Sequence, residues 1–149
     1  MTPPDEAAER ILRGTIPPLF RSIIAVSAGV FIGGIATLGV EALAHAIVPP
    51  PRGLDVTNPE SVKAVMATMP AAHFLPILLG YLIGPTIGAA LAARMSPSRP
   101  LVHAGIVGAF FLVGAVNNFN AIPHPLWFMV LAVVAFVAAP FLGTRLVGR

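Results

Sequence analysis

From Ile23 to Val40 the chain runs for eighteen residues without a charged side chain. A run of that length leaves few options. About twenty apolar residues in a helix are needed to cross a bilayer core, and the sequence holds four windows of this kind, Phe20 to Val48, Ala71 to Ala93, Leu101 to Phe119 and Leu126 to Leu146. Lipid offers backbone groups no hydrogen bonds, so each window is expected to be a helix; a β-barrel strand would alternate apolar and polar residues, and these windows do not. The expectation is an all-α fold: a single integral membrane domain over residues 1–149, a four-helix bundle with a short outer interfacial helix.

Composition agrees. With 56% hydrophobic and only 10% charged residues, a soluble domain of this size could not cover its apolar side chains. Cysteine is absent, which excludes disulfides and thiolate metal sites. The net charge of +3 comes from arginines placed singly at the ends of apolar segments. No basic cluster is interleaved with aromatics, so no nucleic-acid partner is expected. Lys63 is the one lysine, and with abundant Ala, Gly and Pro this is the composition of a bacterial protein from a GC-rich genome.

The first window also has features of a secretory signal, since Arg10, Arg13 and Arg21 precede it and Ala42 to Ala44 reads as a cleavage site. Its apolar region exceeds the roughly 7–15 residues of a signal, so an uncleaved signal anchor is expected. Arg10, Arg13, Arg21, Arg94, Arg99, Arg145 and Arg149 fall on one side of the four spans, and only Arg52 and Lys63 on the other. The positive-inside rule then puts both termini in the cytoplasm of a bacterial inner membrane, with Trp127 at the outer interface.

The longest connection starts with Pro49, Pro50 and Pro51, which cannot continue the first helix. In "NPESVKAVMATMP", Asn58 is a helix cap, Pro59 suits the first helical position and Pro70 ends the segment. Val62, Val65, Met66 and Met69 share a face, so a short helix along the membrane surface or over the bundle is expected.

Helices in lipid associate where small residues let backbones approach. The four-residue spacing is met by Gly29 and Gly33, by Gly80, Gly84 and Gly88, and by Ala135, Ala139 and Gly143. The third span is less regular, with Ala104, Gly108 and Gly114. Glu41 follows Gly34 by seven residues and Thr37 by four, which places it on the small-residue face, with His45 one turn later. The same arithmetic brings His73, Asn117, Asn118 and His124 to the outer ends of their helices. These six residues form a candidate outer polar cluster.

Two readings of that cluster are open. One is interhelical hydrogen bonding at helix ends that water already reaches; the other is a site for a proton, a metal ion or a small polar ligand, for which one carboxylate and three imidazoles would serve. The E-x-x-x-H spacing of Glu41 and His45 specifies no metal, and no catalytic, cofactor-binding or metal motif is present. His103, near the inner end of the third span, reads as an interfacial histidine. Aligning His73 with His124 and Arg94 with Arg145, at an offset of 51, raises the idea of two related hairpins.

The stretches "PPPRGLD", "GYLIGPTIGAALAAR" and "IPHPLWF" resemble a group of small four-span bacterial membrane proteins of unassigned function. The resemblance implies the four-span topology and brings no activity, cofactor or catalytic residue with it. The function expected is non-catalytic, that of an accessory or structural subunit. Its partners are the lipid bilayer and other membrane proteins, or further copies of itself. The alternatives are a small oligomeric transporter or channel using the outer Glu/His/Asn cluster, and a membrane enzyme with an outward metal site.

Overall fold

The computed structural model describes residues 16–148 apart from 50, 54 and 56. These fold into five helices: α1 (Pro18–Ile47), α2 (Pro59–Thr68), α3 (Ala71–Met95), α4 (Pro100–Ala121) and α5 (Leu126–Leu146). Four of them, α1, α3, α4 and α5, are long and apolar enough to cross a membrane. The chain is thus an all-helical membrane protein, and among the described residues there is no strand. Arg21, Arg94, Arg99 and Arg145 gather at one end of the bundle, the arginine end; the long connection between α1 and α3 marks the other, the loop end. Arg10, Arg13 and Arg149 lie outside the described residues.

Proline sets most of the helix starts. Pro18, Pro59 and Pro100 occupy the first turns of α1, α2 and α4, where a missing N–H costs nothing. The thirty residues of α1 rise roughly 45 Å, more than the roughly 30 Å hydrocarbon core. Arg21 and Glu41, about 30 Å apart along this helix, therefore stand near the two boundaries of that core.

Helix α3 is the centre of the arrangement. It packs against α1, α4 and α5, whereas α1 touches only α3 and α4. The α1–α3 crossing is antiparallel and built on glycine. A methyl group added at Gly29 would come within 2.6 Å of the Gly88 carbonyl oxygen, and one added at Gly33 within 3.0 Å of the Gly84 oxygen. Gly143 of α5 fits as tightly against α3, where an added methyl group would come within 2.7 Å of the Ala90 nitrogen, and one added at Gly108 of α4 would come within 2.6 Å of the Pro140 ring. Gly29, Gly33, Gly84, Gly88 and Gly143 lie in these contacts, but Gly34 does not. A side chain there would meet nothing within 4 Å. Glu41 reaches the crossing because it continues the stripe of Gly29, Gly33 and Thr37, not because it aligns with Gly34.

Core composition changes along the bundle axis. Toward the arginine end it consists of small residues, with Ala25, Ala89, Ala92, Ala93 and Ala104 fully buried. Toward the loop end it is aromatic: Phe74 meets Phe128 at 5.2 Å between ring centroids, Phe128 meets Tyr81 at 5.9 Å, and Tyr81 meets Phe136 at 5.0 Å.

The offset of 51 does not survive. Helices α3 and α5 both follow a proline, Pro70 and Pro125, and start 55 residues apart. At that offset Gly80, Gly84, Pro85 and Gly88 fall on Ala135, Ala139, Pro140 and Gly143. His73 lies within α3, whereas His124 precedes α5, so the pair had drawn the alignment four residues out of step.

Helix α2 forms as read. The Asn58 side chain accepts hydrogen bonds from the backbone N–H groups of Glu60 at 3.0 Å and Ser61 at 3.4 Å, closing its open first turn. Val62, Val65, Met66 and Met69 are half-buried and the opposite face is exposed. No α-carbon of α2 comes within 8 Å of a spanning helix.

Candidate functional site

The six residues read from the sequence do not meet at one point. Asn118 turns inward and its side-chain N–H donates to the Tyr81 hydroxyl at 3.4 Å. Asn117, one position earlier, is exposed on the outside of α4. A helix advances about 100° per residue, so two adjacent asparagines cannot both face the interior.

His124 is engaged locally. Its Nδ1 lies 2.7 Å from the Ile122 carbonyl oxygen, an atom that can only accept, so Nδ1 carries the hydrogen. The ring stacks on Phe128 at 5.3 Å and 15°, and meets Phe119 edge-on at 5.2 Å. His73 is half-buried, with an Nδ1 that has no hydrogen-bond partner. His45 is half-buried one turn beyond Glu41. Among the described residues, no three carboxylate or imidazole side chains converge in a way that could hold a metal ion.

What the helices do form is a half-open cavity of about 260 Å³. All four spanning helices supply its wall: Thr37 from α1, Tyr81 from α3, Phe111, Gly114 and Asn118 from α4, and Phe136 from α5. Thr37 Oγ1 donates to the Gly33 carbonyl oxygen at 2.9 Å, so its hydroxyl keeps acceptor capacity. Tyr81 and Phe136 occupy equivalent positions of the α3 and α5 pattern. Each stands four residues before a proline, Pro85 or Pro140, whose missing N–H leaves that residue's carbonyl without a helical donor.

Glu41 lies one helical turn beyond Thr37 on α1. Its side chain rests on Gly80: a Cβ built there would lie 3.1 Å from the Glu41 Cγ and 3.3 Å from Oε1. Glycine at position 80 is what makes room for the carboxylate. Glu41 is half-buried; the one salt bridge among the described residues, Lys63 with Glu60 at 3.2 Å, lies elsewhere, on α2.

Reading the sequence alone singled out Glu41 and Asn118 but missed Thr37 and Tyr81. The signal was present: Tyr81 is the only tyrosine, set between Gly80 and Gly84 on the strongest small-residue pattern in the chain. Polar aromatic residues inside a glycine-rich span can look inward only where the neighbours leave room.

His103, in the first turn of α4, is buried, at 7% exposure, and ties the α3–α4 turn together. Its Nδ1 donates to the Arg99 carbonyl oxygen at 2.8 Å and lies 3.0 Å from the Ser96 hydroxyl, which also accepts from the Arg99 N–H at 3.1 Å. Neither a family model, nor a curated protein, nor a solved structure matches this chain.

Proposed function

We propose that the chain is a non-catalytic membrane protein of the bacterial inner membrane, an accessory or structural subunit that packs against other membrane proteins or further copies of itself. The observation that carries this reading is the placement of α1. It is the longest span, yet only 17% of its most apolar window is buried, against 44% for α3. Phe31, Ile35, Leu38 and Leu43 face outward along its length, a surface suited to a helix of another protein as well as to lipid.

Two further features support it. The turns between spans are short, residues 96–99 and 122–125, so recognition has to take place in or at the bilayer. The arginine half is packed with fully buried alanines, and its buried polar side chains, Thr86, Ser96, His103 and Thr144, are taken up by local hydrogen bonds, which counts against conduction through one protomer. A small oligomeric transporter or channel is the second reading, and the polar cavity of the loop half is what favours it. The seven-to-two distribution of basic residues supports cytoplasmic termini.

Photo-crosslinking tests the first reading. Benzoylphenylalanine in place of Leu38, 67% exposed, is expected to give a discrete adduct with another membrane protein or a second copy in native membranes, while the same probe in place of Val137 on α5 gives lipid adducts only. Lipid adducts alone at both positions would count against a subunit role.

A further inference from the structure

We propose that the groove between α1 and α4 at the arginine end binds an acylglycerol, a neutral lipid whose free glycerol hydroxyl donates to His103 while its acyl chain lies along the apolar wall. The groove is half-open and has about 330 Å³. Leu19, Ile23 and Val26 of α1 and Ile106 of α4 make most of its lining, and Ser22, Ser27 and His103 are its polar groups. Above it the two helices are in contact, since a methyl group added at Gly29 would come within 3.0 Å of the Val107 side chain. Ala25 and Ala104, on the same helices, are fully buried, whereas Leu19, Ile23 and Ile106 are exposed on the rim. The groove therefore opens sideways, where lipid lies, and not into the bundle.

One imidazole decides what fits. His103 is only 7% exposed, and its ring lines the groove. Its Nδ1 hydrogen is taken by the Arg99 carbonyl oxygen at 2.8 Å, so in the neutral ring Nε2 is an acceptor, and among the described residues no group donates to it. A buried acceptor needs a donor. The occupant has to bring one, which neither a bare hydrocarbon chain nor a choline head can do. No charged side chain lines the groove. Arg21 and Arg99 stand at this end of the bundle without lining it, so a charged head would leave water without gaining a counter-charge in the wall. An acylglycerol meets each demand, with an uncharged head, hydroxyls beside the ester and a chain for the apolar lining. A second hydroxyl can donate to Ser22, whose own hydrogen goes to the Pro18 carbonyl oxygen at 3.1 Å. The height is right for such a head, because Arg21, next to Ser22, stands near the boundary of the hydrocarbon core.

Photolabelling of the full chain in phosphatidylcholine nanodiscs, by a monoacylglycerol with a diazirine in its chain, tests the site. Saturable labelling is expected, with adducts on residues 19–27 and 103–106. Monooleoylglycerol should compete at least tenfold better than methyl oleate, which has the chain but no hydroxyl. It should also compete at least tenfold better than oleoyl lysophosphatidylglycerol, which has hydroxyls and a charge. His103→Asn keeps an N–H for the Arg99 carbonyl and puts nothing in place of Nε2, so labelling should fall at least fivefold in the folded variant. Should it fail to fold, Ile106→Trp takes its place: position 106 is 49% exposed on the rim, and the indole fills the groove, so labelling should be lost. The absence of saturable labelling, adducts spread evenly over the spans, a preference below tenfold over either control, or full labelling of either folded variant would overturn the proposal.

Discussion

Gly29 of α1 and Gly88 of α3 meet backbone to backbone: the oxygen of each lies where the other's first side-chain carbon would be. Neither position has room for a methyl group, and this contact fixes how closely the two most extensively packed helices approach. Gly34, on the neighbouring face of α1, faces open space. Two glycines five residues apart on one helix thus make opposite demands.

That contrast is measurable. Gly29→Ala forces backbone or side chains apart and should destabilise the folded protein by about 1–3 kcal/mol, whereas Gly34→Ala should be neutral or stabilising by up to about 1 kcal/mol, through the lower flexibility of alanine. Unfolding in mixed micelles gives both values. Equal effects would remove the glycine crossing from the account.

How much of this was written in the sequence differs by level. The spans were readable because length and apolarity alone decide whether a segment crosses a bilayer, and their ends were marked by prolines such as Pro18, Pro70 and Pro100. The glycine stripe was readable as spacing, but not which glycine met which, because the pairing of Gly29 with Gly88 depends on how two helices cross. The cavity was not readable. Tyr81 and Asn118 are 37 residues apart on different helices, and no periodicity within either one encodes their meeting. His73 and His124 align the helices poorly for the same reason: matching residue types suggest one offset, while the helix starts and Pro85 with Pro140 share another, in residues without polar chemistry.

The α3–α4 turn rests on one hydroxyl. Ser96→Ala removes the buried partner of His103 and the part-buried acceptor for the Arg99 N–H, and should cost about 1–3 kcal/mol in the same unfolding measurement. Ser98→Ala, on an exposed residue of that turn, should stay within about 0.5 kcal/mol of the parent.

Helix α2 should behave as an independent element. Asn58→Ala removes both capping hydrogen bonds, worth about 1 kcal/mol to the helix. Amide hydrogen exchange across residues 59–68 should accelerate several-fold. Because no α-carbon of α2 comes within 8 Å of a spanning helix, melting of the bundle should not change; a lowered melting temperature would mean that α2 holds the spans together after all.

Asp55, in the exposed connection, is held below the usual carboxylate range by hydrogen bonds from the Thr57 hydroxyl, at 2.6 Å, and the Thr57 N–H, at 2.9 Å. A depressed carboxylate stabilises its turn above the ordinary value of 3.8 and loses that effect as pH falls through the lowered one. NMR titration of the Asp55 carboxyl should give a midpoint under 3.8, moving back toward it in Thr57→Val, where the stronger of the two hydrogen bonds is gone.

Orientation can be read in intact cells with an impermeant thiol reagent, since the chain has no cysteine of its own. Thr57→Cys should label and Ser98→Cys should not, both sites being exposed. The reverse pattern would put the arginine end outside.

The central claim is a bundle open to small molecules in its loop half and closed by small-residue packing in its arginine half. Two single-cysteine variants on the same helix test it most directly: Asn118→Cys, on the cavity wall, and Ala104→Cys, at 0% exposure. With the folded protein in liposomes or micelles, a small charged methanethiosulfonate should modify position 118 within minutes and leave position 104 unmodified until the protein is denatured. Equal rates at the two positions in the folded state, or protection of both, would contradict the account.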